Sequence, residues 1–338
     1  MTRTVPRSLS FDYAVGICSV WISAGFFLDA WAHGHVPVES FFTPYHGVFY
    51  SGMLAMVIVL AAFWLRHRGL PPGYRFAILG IPVFVLAGIG DLCWHLLLGI
   101  EEGVDALLSP THQCLGLGIF ILSSGPIRSV IRDRLNSASL ATQFPLVLGL
   151  ATWLILVHFG TAYAFDPGAG RTNAPPLSDA MSRQYLTTLA IGYYKISIGV
   201  LIAIFQAIVM TGFALWAAAR IRLRAGSFTL FYLLGNVPAA AAFTNHTPLL
   251  GVTILQSLLT GVIADFIVAR YDPQPENPHW YRIFAVAIPL VYMGTYLIAT
   301  LAADGLWWDW NESLGAWMWC GVVGFGLSII GTARRTPA

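Results

Sequence analysis

Asp29, His33 and His46, and again Asp91, His95 and His112, form two copies of one pattern: an acid and an imidazole four residues apart, then a second imidazole just after a hydroxyl–proline pair. The first copy runs Asp29-x3-His33, Glu39, Thr43-Pro44-Tyr45-His46, and the second runs Asp91-x3-His95, Glu101 and Glu102, Ser109-Pro110-Thr111-His112. One carboxylate and two imidazoles suit copper, iron(II) or zinc(II), and three protein donors leave coordination positions open for water, dioxygen or substrate. On a helix, residues i and i+4 share a face, so each Asp-x3-His pair projects together. Each pair is expected at the C-terminal end of its helix, where the negative end of the helix dipole favours a cation. The returning helix then opens on a capping hydroxyl and a proline in its first turn, which brings the third ligand to the same depth. Glu39, Glu101 and Glu102 are available as further ligands or as partners that orient an imidazole N–H.

The elements that must position these residues are membrane helices. The chain is 57% hydrophobic and only 10% charged, with a mean hydropathy of +0.70, and apolar runs long enough to cross a bilayer recur throughout. The expected fold is all-α, a polytopic bundle of about ten transmembrane helices over 11–33, 46–65, 76–98, 111–131, 143–164, 186–219, 227–243, 247–269, 281–303 and 313–332. Residues 1–135 hold the two hairpins that carry the repeated motif, and 136–338 supply supporting helices of one integrated bundle.

The arginines recur in every second connection between spans, so that all basic residues except Arg171, Arg183 and Lys195 fall to a single side. Basic loops stay in the cytoplasm, so both termini are expected there and the Asp/His clusters at the outer face of a bacterial inner or plasma membrane. The formal net charge of +2 is this topological bias and gives no support to nucleic-acid binding. The four cysteines show no CxxC or secreted-domain spacing and read as small core residues. The first apolar stretch is of full span length, which reads as a retained helix.

Asp29-x3-His33-x12-His46 resembles the copper-ligand pattern in the C subunit of particulate methane and ammonia monooxygenases. That family has a second cluster of the form Asn-x3-His-x13-His. The corresponding block here is Asp91-x3-His95-x16-His112, with an acid in place of the amide and a longer gap. The resemblance covers roughly residues 24–115. It implies a membrane helical bundle, copper as the metal, ligand roles for both sets of three, and an oxygenase that works with partner subunits or as a homo-oligomer.

Other residues have plainer readings. Lys195, the only lysine, falls inside the sixth span beside Tyr193 and Tyr194, where pairing with an acid or snorkelling is expected. His158, Asn236 and His246 suit core or capping roles, Asn236 with His246 being at most a degenerate third copy. Trp307, Trp308 and Trp310 form an aromatic belt at the outer membrane surface, and the stretch 165–185 an ordered external loop. Three functions stay open. The first is a copper centre of monooxygenase type acting on a small apolar substrate that arrives through the lipid bilayer. The second is a zinc-dependent intramembrane hydrolase with Glu39 or Glu102 as general base. The third is a non-enzymatic protein of metal uptake, sensing or storage.

Overall fold

The computed structural model describes residues 5–36, 41–101, 104–135, 139–162, 183–243, 247–303, 305–306 and 308–333, except for the side chains of 33–34, 104, 183–195, 243 and 247. These residues form twelve helices and no strand: α1 (Leu9–His35), α2 (Pro44–His67), α3 (Tyr74–Ala77), α4 (Gly80–Leu98), α5 (Val104–Leu108), α6 (Pro110–Arg132), α7 (Leu140–Gly160), α8 (Arg183–Ala218), α9 (Ser227–Phe243), α10 (Thr247–Tyr271), α11 (Pro278–Ala303) and α12 (Trp310–Ala333). Among them nine helical segments are long and apolar enough to cross a membrane, and the expected seventh span is the shorter α9. Leu54, Leu86, Leu96, Leu97, Ile298 and Ile330 are all more than 60% exposed. Such a surface is at home only where lipid is the solvent. The protein is a polytopic membrane helical bundle.

The chain divides into two compact units, one of Met1–Ala162 with Ile221–Asn245, the other of Tyr163–Arg220 with His246–Ala338. The first is built from two helical hairpins, α1 on α2 and α4 on α6, with α7 packed on α1 and α6 and α9 packed on α7. Each hairpin closes on a glycine. A Cβ at Gly25 of α1 would stand 2.6 Å from the Phe49 Cα of α2, and one at Gly118 of α6 would stand 2.9 Å from the Phe84 backbone nitrogen of α4. Small residues allow backbones to approach this closely where no hydrophobic drive holds helices together in lipid.

At the end of this unit that carries the arginines, Asp12 is fully buried. It accepts from Arg7 Nε at 2.6 Å, from the Tyr74 hydroxyl at 2.6 Å and from Ser129 Oγ at 3.4 Å. Gln143 is also fully buried, and it clasps two connecting segments by donating to the Leu135 and Arg222 carbonyls and accepting from the Arg224 N–H. Every polar atom of that amide is used, as burial in an apolar medium requires.

In the second unit α11 packs on α10 and α12, and α8 on α11 and α12. Met293, Tyr296, Trp308 and Cys320 belong to its core. Asp309 and Glu312 form a reciprocal cap at the start of α12. The Asp309 carboxylate accepts from the Asn311 and Glu312 N–H groups, and Glu312 Oε2 accepts from the Asp309 N–H. The hydrogen bond from the Glu312 N–H, more than any other contact, holds the Asp309 carboxyl below its ordinary range.

Two expectations need adjusting. Trp308 is buried in the core of the second unit and only Trp310 stands out as a belt residue, while Trp307 lies outside the described residues. Cys18 and Cys320 are buried as expected, but Cys93 and Cys114 are exposed. On a lipid-facing helix an exposed thiol behaves as a small apolar group and needs no core.

Candidate metal centre

Asp91 and His95 lie on the buried face of α4, one turn apart, and His112 is buried in the first turn of α6. Gly99, with φ at 88°, ends α4 and returns its N–H to the His95 carbonyl. The chain then forms α5, whose carbonyls meet the start of α6: Ala106 O takes His112 Nδ1 at 2.6 Å, and Leu107 O takes Gln113 Nε2. The short helix is thus a bracket that fixes how His112 enters the centre.

His112 Nε2 lies 3.2 Å from Asp91 Oδ1, and His95 Nε2 lies 3.7 Å from the same oxygen. These separations bracket the edge of a tetrahedron, about 3.4 Å for bonds of about 2.1 Å to a central ion. Side-chain donors of all three residues fall within 4.8 Å of one another, the one such group among the described residues. The tautomers follow from the outward contacts. His112 Nδ1 meets the Ala106 carbonyl and His95 Nδ1 meets the Gly99 carbonyl at 3.3 Å, so each Nδ1 is placed to donate its hydrogen outward, and in the neutral ring each Nε2 is then an acceptor facing inward. Two Nε2 atoms and a carboxylate oxygen thus converge, three donors to a cation when both rings are neutral, with Asp91 Oδ2 buried and lacking a hydrogen-bond partner. A cation at their centre answers this arrangement.

Thr111 Oγ1 donates to Asp91 Oδ1 at 2.7 Å and is joined by Ser109 Oγ at 2.8 Å. Ser109, the expected capping residue of α6, makes no side-chain cap hydrogen bond; its hydroxyl serves the Thr111–Asp91 chain. Glu101 Oε2 sits 3.4 Å from His95 Nδ1, beside the outer nitrogen of that ring and not among the three converging atoms.

The first copy of the motif reaches the same place from the other hairpin. His46 Nε2 is 3.5 Å from Asp29 Oδ2, and Thr43 caps α2 by accepting from the His46 N–H at 3.1 Å while its hydroxyl also meets His46 Nδ1. The side chain of His33, and Glu39 and Glu102 entirely, lie outside the described residues. The two copies share a wall. The rings of His46 and His95 are 6.5 Å apart, and Phe41 contacts both, at 4.7 Å from His46 and 6.1 Å from His95.

Beside the cluster, a cavity of about 720 Å³ opens between α2 and α4, with His46, Tyr50, Met53, Phe84, Gly88 and Ile89 among its lining. Apart from His46, Thr43 and Tyr50 it is apolar, and Leu54 and Ile89 on its rim are exposed on the lipid-facing surface. Thr111, which donates to Asp91, and Tyr50, which neighbours His46 and lines the cavity, are residues that the motif alone did not single out. Thr111 stands inside the quoted second block, and Tyr50 follows His46 by four residues, one helix turn on the same face.

The remaining polar residues are disposed elsewhere. His158 Nε2 pairs with Asn236 Oδ1 at 2.8 Å, bracing α7 on α9, so Asn236 serves a helix contact. His246, the side chain of Lys195 and the segment 165–182 lie outside the described residues. His67 packs on Phe63, and His279 contacts Trp280.

Comparison with known proteins gives no match: no family model, no curated protein and no solved structure resembles the chain significantly.

Proposed function

We infer that this integral membrane protein binds a transition-metal ion through Asp91, His95 and His112, and that the ion is copper in an oxidative centre of monooxygenase type. The observation that carries the metal reading is the convergence of two Nε2 atoms on one buried carboxylate, each ring's Nδ1 being placed to donate to a backbone carbonyl. Copper is favoured by the spacing likeness of Asp29, His33 and His46 to the monooxygenase subunit, and by imidazole-rich coordination in a buried, apolar setting. The ion supplies the redox chemistry. The chain's own part is to hold three donors, to fix their tautomers through backbone carbonyls, and to keep bulk water away from the centre. Iron and zinc share these donors.

The substrate in this reading is small and apolar and arrives from the bilayer, since the cavity beside the cluster opens between two helices and is lined almost wholly by hydrocarbon. The arginine bias puts this end of the bundle outside the cytoplasm. Turnover by partner subunits or by a homo-oligomer belongs to the same reading.

The test is elemental analysis of the purified protein with matched variants. Bound copper should be present in the wild type and lost in His95→Ala and His112→Ala, with the helical content of both variants unchanged. Zinc in its place would shift the reading to a metal-activated water and hydrolysis. Absence of any metal after reconstitution with copper, iron and zinc would leave the cluster a buried hydrogen-bonded brace.

A further inference from the structure

Tyr50 holds a place between the cavity and the cluster that packing alone does not account for. Its ring is one turn along α2 from His46, at a centroid distance of 6.1 Å, and it packs on Phe41 and Phe84 at 5.9 and 5.8 Å. Its hydroxyl is buried and has no hydrogen-bond partner, yet it stands within electrostatic range of both Asp29 and Asp91. A phenol among carboxylates is a hydrogen-bond donor. Phenylalanine would fill the same space without leaving a buried polar atom unsatisfied. The opposite wall is shaped to admit the hydroxyl. Gly88 precedes Asp91 by three residues on α4, and a Cβ there would come 3.1 Å from the Tyr50 oxygen and 3.2 Å from its ring.

We propose that Tyr50 is a positioning residue whose hydroxyl donates to a small oxygen- or nitrogen-donor ligand occupying the open coordination position of the ion held by Asp91, His95 and His112. The inference rests on the metal reading above and adds to it the residue that orients what the metal binds. The three donors come from α4 and α6, whereas Tyr50 comes from α2 and lines the cavity.

Azide is a suitable probe, because it takes an open position on Cu(II), accepts hydrogen bonds and gives a charge-transfer band that can be titrated. Full-length protein is loaded with Cu(II) and its copper content measured first. Tyr50→Phe should keep the wild-type copper content and an unchanged or slightly raised Tm, while its azide affinity falls about ten-fold or more, the size expected for losing a donor to an anionic ligand. Gly88→Ala, which presses on the phenol from α4, should shift azide affinity in the same direction at equal copper content. Wild-type azide affinity in Tyr50→Phe would overturn the proposal, and so would loss of copper in that variant, which would make Tyr50 a ligand or a structural support. A wild type that takes up no copper defeats the metal reading itself, a result visible before any azide is added.

Discussion

At Asp91 two kinds of neighbour meet one carboxyl oxygen, a hydroxyl that donates to it and two imidazoles whose Nε2 atoms face it, while the second oxygen has no hydrogen-bond partner. The hydroxyl is the piece that can be removed without touching a ligand. Thr111→Val keeps the shape of the side chain and deletes only the donor, so metal affinity should fall by about 10–100-fold, the usual effect of losing an outer partner of a ligand, with helical content unchanged in circular dichroism. Asp12 offers the contrast at the other end of the first unit. Asp12→Ala strands the Arg7 guanidinium and the Tyr74 hydroxyl in the interior, and it should lower stability by about 3–5 kcal/mol. Thermal unfolding in detergent would show that loss, while copper affinity of the folded fraction should stay at the wild-type value. Asp91, His95 and His112 were legible in the sequence as a candidate cluster because intramembrane acids and imidazoles are costly and so stand out against an apolar background. Tyr50 was not, since a tyrosine in an aromatic-rich chain carries no such signal until its neighbours are known.

Among the elements, α4 and α6 matter most to the centre, because each contributes ligands and the distance between them sets whether those ligands meet. Gly118 governs that distance. Gly118→Val should separate the two helices, lowering stability by about 1–3 kcal/mol, as overpacking commonly does, and lowering metal affinity with it. Gly116→Ala makes the control, since a Cβ at that position meets nothing within 4 Å, and both stability and metal binding should be retained. The spans themselves were readable from hydropathy to within a few residues, and Pro44 and Pro110 marked the starts of two of them. What hydropathy could not supply was the short α5 bracket or the pairing of His158 with Asn236. Both depend on which carbonyls and amides the fold brings together, and a one-dimensional pattern does not record that.

For the whole molecule, the arginine distribution and the position of the cluster together make sidedness testable. A reporter fused after Ala338 should be active in the cytoplasm, and a protease site inserted near Gly170 should be cut from outside. The reverse pattern would put the cluster on the cytoplasmic face. The sequence order of the buried polar partners also sets a timetable for biogenesis. Asp12 has Arg7 beside it as soon as α1 emerges, but Tyr74 and Ser129 follow by 62 and 117 residues, so the first helix enters the membrane with its carboxylate only partly satisfied. Asp29 and His46 can meet once the first hairpin is made, whereas Asp91 waits for α6 to deliver His112. A nascent chain halted before α6 would therefore carry two acid–imidazole pairs, Asp29 with His46 and Asp91 with His95, but would lack the third member of the Asp91 set, so α4 enters the membrane with that set still open.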